Sequence, residues 1–339
     1  MKIILVRPDG IGDEILCLPV ASALCRLWPE AKVSFLSSAY AAPVLAQHPD
    51  LAAVLTLNGQ ERFADLVALF RRGFDAAIFL KPFRRMMAAA FVARVPVRVA
   101  TGYRWYSLLA NRRVYEHRSD FSKHEALYNL GLLRGLNVEP GEPVRPRLVL
   151  TDDERQEAAV RLNALPVPRV VVHPGGFSSR QWKLRHYLDL AQRLAEDGYG
   201  VVLSGSQTER DRFRDETGWR GSAHGSILDV MGTVTLRQLM AMIGASQALV
   251  SGSTGPAHIA AGRGVPTVSL FDPRRNQLPT RWQPLGLGLV LRPEVPTCEK
   301  CIYEACPYWD CLDRISVEDV GNRVRQVLSR PEAIAVVHV

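Results

Sequence analysis

Ala248-Leu-Val-Ser-Gly-Ser-Thr-Gly-Pro-Ala-His-Ile-Ala-Ala261 reads as a strand running through a turn into a helix. The apolar start gives way to Ser251, Gly252, Ser253, Thr254 and Gly255, and a helix is expected from Pro256, whose fixed φ suits a first helical position. Such a turn is a natural anion site. Backbone N–H groups at a helix N-terminus, flanked by glycines and small hydroxylated residues, let a diphosphate approach closely. Taken alone, the same stretch is also an ordinary β-to-α connection of an α/β domain, so its surroundings decide its meaning.

The same rhythm runs outward in both directions. Before it, strands are expected at 3–6, 32–36, 54–57 and 76–80, with helices at 13–28 and 40–47 between them; closer to it, strands fall at 170–173, 201–204 and 267–270, and helices at 152–162, 186–197 and 236–245. This alternation is βαβ logic and implies mostly parallel sheets with right-handed crossovers. A chain of 339 residues suggests about two domains of that kind. Pro140, Gly141, Pro143 and Pro146 interrupt regular structure, which places the boundary near residue 150, between a first domain at 1–150 and a second at 151–315. A last helix, capped by Ser316 with Asp319 three residues on, is expected over 316–330 and is expected to pack back on the first domain. Ligands of doubly wound sheets gather at the carboxyl ends of the strands, so two such domains facing each other would share a cleft.

An apolar fraction of 47% with 22% charged residues describes a soluble globular chain, and no apolar run is long enough to span a membrane. Met1 to Arg7 reads as a first strand and is too short for a signal peptide, so the expected compartment is the cytoplasm. The net charge of +8 is concentrated in the first half, at Lys81, Arg84, Arg85, Arg94, Arg98, Arg104, Arg112, Arg113 and Arg118. A solvated basic face would account for this, as would an anionic membrane surface or a phosphorylated acceptor. No helix-turn-helix, zinc-finger or RNP-type pattern accompanies the charge, and nucleic acid is not expected as a partner.

Three further turns carry chemistry-bearing residues. In Arg7-Pro-Asp-Gly-Ile-Gly-Asp13, Gly10 and Gly12 allow a tight turn, and Asp13 falls at or beside a helix start, where it could cap its own helix or reach a ligand. The third glycine of a dinucleotide fingerprint is missing. In His173-Pro-Gly-Gly-Phe-Ser-Ser-Arg-Gln-Trp-Lys183, Gly175 and Gly176 free the backbone while Arg180 and Lys183 supply cations suited to a diphosphate. In Ser204-Gly-Ser-Gln-Thr-Glu209 the glutamate follows a glycine-containing turn and suits ribose hydroxyls.

Six cysteines divide into two groups. Cys17 and Cys25 sit among apolar neighbours and read as buried small side chains. Cys298, Cys301, Cys306 and Cys311 are spaced C-x2-C-x4-C-x4-C, compact enough for a structural zinc or iron ion, or else four free thiols.

Asp13, HPGG…W at 173–182, the glutamate of SGSQTE, and SGSTGPAHIAA followed by GVPTVSLF at 264–271 together resemble glycosyltransferase family 9, the ADP-heptose-dependent heptosyltransferases of lipopolysaccharide core assembly and their relatives. The resemblance extends from Met1 to about Val327. It implies a GT-B architecture: two Rossmann-like domains facing a central cleft, acceptor in the first, nucleotide-sugar donor in the second. It further implies Asp13 as catalytic base, with Gly12, Arg84 and Arg104 towards an anionic glycolipid or saccharide acceptor at the inner-membrane surface. Thr254, Gly255 and His258 match the donor-diphosphate turn, Glu209 the ribose contact, and Gly175, Gly176, Arg180 and Lys183 the rest of the donor site. Arg180 stands where many members have lysine, and Ser253 where some have aspartate, which leaves the transferred sugar open. The implied reaction is inverting transfer of a sugar, heptose from ADP-heptose in the best-known members. No DxD-type motif is present, so no catalytic metal or other cofactor is expected. A nucleotide-sugar-binding protein without transferase activity, a member using another sugar or a protein acceptor, and an epimerase of the same shape remain open at this point.

Overall fold

The computed structural model describes residues 1–176, 180–221 and 225–329. They form two compact units, the first over Met1–Val149 and the second from Leu150 onward. Each unit holds one six-stranded sheet in which every pairing is parallel.

The first sheet comprises β1 (Lys2–Val6), β2 (Lys32–Ser38), β3 (Ala53–Leu57), β4 (Ala76–Phe79), β5 (Val97–Thr101) and β6 (Arg112–Val114), in the order β3-β2-β1-β4-β5-β6. Central strands such as β1 are covered on both faces, so Ile3, Ile4, Leu5 and Val6 are all fully buried and read as one apolar run. The second sheet comprises β7 (Arg169–His173), β8 (Gly200–Leu203), β9 (Ile227–Asp229), β10 (Ala248–Gly252), β11 (Thr267–Leu270) and β12 (Gly288–Leu291). Its order, β12-β11-β10-β7-β8-β9, repeats that of the first sheet. In both, the strand order reverses between the first and fourth strands of the sheet, β1 beside β4 and β7 beside β10. Loops at such a switch point part in opposite directions and leave room for a ligand.

Three expectations need correction. The helix expected over 13–28 is two helices, Ile11–Ile15 and Leu18–Leu27, because Pro19 lacks an N–H and its ring would crowd the carbonyl four residues back. The helix expected over 40–47 is a single turn, Ala42–Leu45, which ends before Gln47 at φ +61°. The last helix, Val317–Ser329, packs on the second unit: Val320, Val324 and Val327 are buried in one cluster with Leu190, Leu194 and Val268, and Arg325 pairs with Asp197 at 2.7 Å. An apolar stripe at these spacings needs one continuous covering surface, and the second sheet's helix layer supplies it. The expected cap is present, with Ser316 Oγ accepting the Asp319 N–H at 3.0 Å; residue 330 lies outside the described residues.

Candidate active site

Two groups of loops at the carboxyl ends of the strands hold the residues singled out by sequence, one in each unit. In the first unit β1 leads through Arg7 to Gly10 and into the Ile11–Ile15 helix, where Gly12 and Asp13 are the second and third residues. Asp13 does not cap this helix: Gly10 holds the N-cap position without a side-chain bond. The Asp13 carboxylate instead pairs with the guanidinium of Arg7, a residue 3% exposed. Arg7 bridges onward to Glu125 at 2.7 Å, and Arg118 approaches the same Glu125 oxygen at 2.6 Å. Asn129 closes the group by accepting from Arg118 at 3.0 Å and donating to the Leu16 carbonyl at 3.1 Å.

This network sets the charge state of Asp13. Burial pushes its carboxyl above the usual range, and Arg7 pulls it back. Burial also disfavours a charged guanidinium at Arg7, but Glu125 and Asp13 outweigh it and Arg7 stays protonated. The result is a carboxylate fixed in direction, partly open to solvent, and poised above its ordinary pKa. A general base working near neutrality needs those properties. Glu14, fully buried next door, accepts from Ser37 Oγ and from the N–H groups of Asp9 and Ser38, tying the turn to the end of β2. Burial raises its pKa to about 7 against those hydrogen bonds.

A cavity of about 730 Å³ opens at the carboxyl ends of β1, β2 and β3, with Pro8, Ser38, Tyr40, Asn58, Phe83 and Arg84 in its wall. Arg84 begins the Arg84–Val92 helix there. Arg104 is not part of that wall; it precedes the short 3-10 turn Trp105–Leu109 near the sheet's edge.

In the second unit the loops after β7, β8 and β10 meet. Gly176 has φ +131°, and a Cβ there would come within 2.7 Å of Thr254 Cγ2. A Cβ on Gly175 would fall 2.2 Å from Glu209 Oε1 and 2.6 Å from His173 Nε2. At Gly176 the positive φ favours glycine whatever the space, and at Gly175 a side chain would have to displace the Glu209 carboxylate and His173. Glu209 accepts from Gly176 N at 3.0 Å and Ser206 N at 2.7 Å, while Ser206 Oγ accepts from Glu209 N. Burial pushes the Glu209 carboxyl up, and His173 together with these N–H donors pulls it below the usual range. The helix expected from Pro256 starts one residue earlier: Gly255–Arg263, with Thr254 as N-cap and Pro256 second. Thr254 Oγ1 turns to Ser251 Oγ at 3.3 Å and makes no cap bond, so the first turn of this helix carries no side-chain cap. Ser253 lies half-buried in the turn, and His258 is 5% exposed within the helix.

Arg180 and Lys183 are engaged elsewhere. Arg180 Nη2 donates to the Trp309 carbonyl at 2.6 Å and its guanidinium lies over the Tyr303 ring, while Lys183 pairs with Asp313 at 3.3 Å. Buried Asp272, just past β11, accepts from the Arg180 N–H at 2.9 Å and pairs with Arg274. Trp182, fully buried, donates its Nε1–H to the Ile315 carbonyl at 2.9 Å. Residues 180–183 are thus strapped down by the segment that carries the four cysteines and the residues just after it. No disulfide joins these four cysteines, and among the described residues no group of three His, Cys, Asp or Glu side chains forms a ready metal site. Cys311 is buried in the apolar cluster with Leu312 and Ile315, and Cys298 lies in a backbone bridge to Arg274.

As members of the site, Arg7, Glu125, Asn129, Glu14 and Asp272 are passed over in the sequence, and Arg118 figures only among the basic residues. Arg7 had a signal: it stands next after an apolar strand, where a cation is costly unless paired. Glu125 and Asn129 gave none, since they meet Arg7 across 118 and 122 positions of chain.

The family model for glycosyltransferase family 9 (heptosyltransferase) matches residues 65–305. Lipopolysaccharide heptosyltransferase 2 of Escherichia coli K12 is 25% identical over 291 residues, 80% of this chain and 83% of that protein. Lipooligosaccharide heptosyltransferase 2 of Haemophilus ducreyi is 26% identical over 295 residues, covering 80% and 84%. The solved structure of the E. coli ADP-heptose lipopolysaccharide heptosyltransferase II superposes with a TM-score of 0.81 at 21% identity, over 98% of this chain and 100% of that one. Two parallel Rossmann-like sheets of identical strand order, the turn sequences at their switch points and a family match over most of the chain together place this protein in glycosyltransferase family 9, the heptosyltransferase family of GT-B fold.

Proposed function

We propose that this protein transfers heptose from ADP-heptose, with inversion, to the core of lipopolysaccharide or a related anionic saccharide, and that Asp13 is the general base. The observation that carries this reading is the Asp13 carboxylate at the switch point of the first sheet, held by buried Arg7 and left out of helix capping. Names of the relatives support the sugar and the acceptor: they are lipopolysaccharide and lipooligosaccharide heptosyltransferases, and the solved enzyme is described by its ADP-heptose donor.

Inverting transfer displaces a nucleoside diphosphate from an anomeric carbon through a transition state with oxocarbenium character. The acceptor hydroxyl attacks, its proton passes to Asp13, and the C–O bond to the diphosphate breaks. Negative charge then grows on the leaving diphosphate. The N-terminus of the Gly255–Arg263 helix suits that charge, because fixed N–H dipoles need no reorganisation when it develops, and Gly175 and Gly176 keep Cβ atoms out of its way. Arg180 and Lys183 could join only by exchanging the Trp309 carbonyl and Asp313 for phosphate oxygens. The ribose is assigned to Glu209, and the diphosphate to the turn of Thr254, Gly255 and His258. Gly12 and Arg84 flank the acceptor, with the 730 Å³ cavity receiving its saccharide. The cysteine segment acts as a strap for the donor loop through Trp309 and Asp313. Such an acceptor would place the enzyme at the inner-membrane surface. Among the described residues no helix is long and apolar enough to cross a membrane.

The test is a panel of nucleotide sugars, each read first by thermal shift and then by nucleotide release with and without a core saccharide. ADP-heptose should raise the melting temperature most, by preferential binding to the folded state, and ADP should appear only when acceptor is present. A larger shift with another nucleotide sugar would overturn the donor; binding without turnover in the presence of acceptor would mark a non-catalytic binding protein.

A further inference from the structure

Between Ala76 and Tyr115 the chain carries eight Lys and Arg and no Asp or Glu, as many cations as the formal net charge of the whole molecule, +8. The end of this stretch forms the exposed edge of the first sheet. The 3-10 turn Trp105–Leu109 sits there, and side chains three apart on such a turn eclipse one another. Trp105 and Leu108 are so related, and they are 75% and 76% exposed. Tyr103 and Tyr115 stand beside them, also exposed, with ring centroids 5.4 Å apart and edge-on. Arg112 and Arg113 lie exposed on the edge strand β6 and Arg104 precedes the turn.

The turn itself is firmly seated. Ser107 is buried and donates to the Thr101 carbonyl at 2.6 Å; Tyr106 donates to the Pro82 carbonyl at 2.9 Å. Trp105 and Leu108 therefore project from an anchored backbone. A merely solvated basic face accounts for the arginines and leaves the exposed Trp and Leu without a reason. A bilayer with anionic headgroups accounts for both: the cations meet negative surface potential, Trp and Tyr occupy the headgroup level, and Leu enters the acyl boundary.

We infer that the edge formed by Trp105, Leu108, Tyr103, Tyr115, Arg112 and Arg113 is a docking surface for an anionic phospholipid bilayer. It goes beyond the proposed reaction and does not depend on it.

The full chain is sedimented with sucrose-loaded vesicles of phosphatidylcholine alone or with 30% phosphatidylglycerol added. Binding is expected only with phosphatidylglycerol and should fall steeply with salt. Trp105→Ser with Leu108→Ser should weaken it at least tenfold without changing the melting temperature. Arg112→Ser and Arg113→Ser should each weaken it about fivefold, the equivalent of about 1 kcal/mol per cation near the surface. Transfer to a water-soluble acceptor without acyl chains should be unchanged in the Trp105→Ser, Leu108→Ser variant. Equal vesicle binding by wild type and variants would overturn the surface. So would a change from dimer to monomer on substitution, which would assign it to a second copy of the chain, or a parallel loss of transfer to the soluble acceptor, which would assign it to the acceptor site. Vesicle binding that survives while no preparation transfers sugar would refute only the proposed reaction.

Discussion

The first strands of the two sheets, β1 and β7, occupy the same place in the same strand order, yet their carboxyl ends are chemical opposites. After β1 the chain sets out Arg7, Asp9, Asp13 and Glu14, and the fold adds Glu125 and Arg118, so the turn is a network of buried and half-buried charges. After β7 come Pro174, Gly175 and Gly176, which contribute backbone alone, and the nearest carboxylate, Glu209, is occupied with N–H groups. One topology therefore supplies two devices. A charged turn can hold a proton acceptor in a set direction; a neutral glycine turn next to a helix start can accept an anion.

The comparison breaks first at Asp13. Asp13→Asn removes the proton acceptor and keeps the shape, so transfer should fall between about 10² and 10⁴-fold, while far-UV circular dichroism and melting temperature stay near wild type. Persistence of transfer would remove the chemical meaning of the charged turn.

Arg7→Met tests the network that holds Asp13. Leaving Glu125 without this partner in the interior should cost about 3–5 kcal/mol of stability by urea titration. In the fraction that folds, the acid limb of the kcat/KM profile should move to higher pH, because Arg7 is what lowers the Asp13 carboxyl. Arg7→Lys should restore part of both. An unshifted limb would show that Arg7 packs beside Asp13 without tuning it.

Gly176→Ala is the counterpart in the neutral turn. Its Cβ would press on Thr254 Cγ2 at a φ of +131°, so the substitution should cost about 1–3 kcal/mol and raise the KM for donor with little change in acceptor KM. Equal effects on both substrates would sharpen the comparison in the wrong direction.

Glu14→Gln should act on the pH dependence of stability and least on transfer itself. Folding raises the Glu14 pKa from an ordinary 4.5 to about 7, so the folded state keeps a proton that the unfolded chain releases. Stability from this group is present below pH 4.5 and is lost as pH rises to 7, on the order of 3 kcal/mol in all. The variant's stability should be flatter across that window in denaturant titrations at several pH values.

Much of this comparison is legible in the sequence, and its limits are physical. Parallel strands buried on both faces are unbroken apolar runs, so Ile3 to Val6 and Val170 to Val172 declare themselves. The helix break at Pro19 is missed where amphipathic spacing is followed across the proline. Candidate residues set in glycine-containing turns, such as Asp13 and Gly176, can be found from local spacing. Arg7 meets Glu125 across 118 positions, and Arg180 meets Trp309 across 129; no periodicity marks such pairs, because the sheet order brings them together. For that reason Arg180 and Lys183 look like free cations in sequence and are committed to the strap in the fold.

The central claim is that the charged turn of the first unit serves proton transfer and the glycine turn of the second serves donor binding. Calorimetric titration of ADP into Asp13→Asn and Gly176→Ala tests it most directly. Asp13→Asn should bind ADP as wild type does, and Gly176→Ala should bind it at least tenfold more weakly. Weakened binding in Asp13→Asn together with unchanged binding in Gly176→Ala would contradict it.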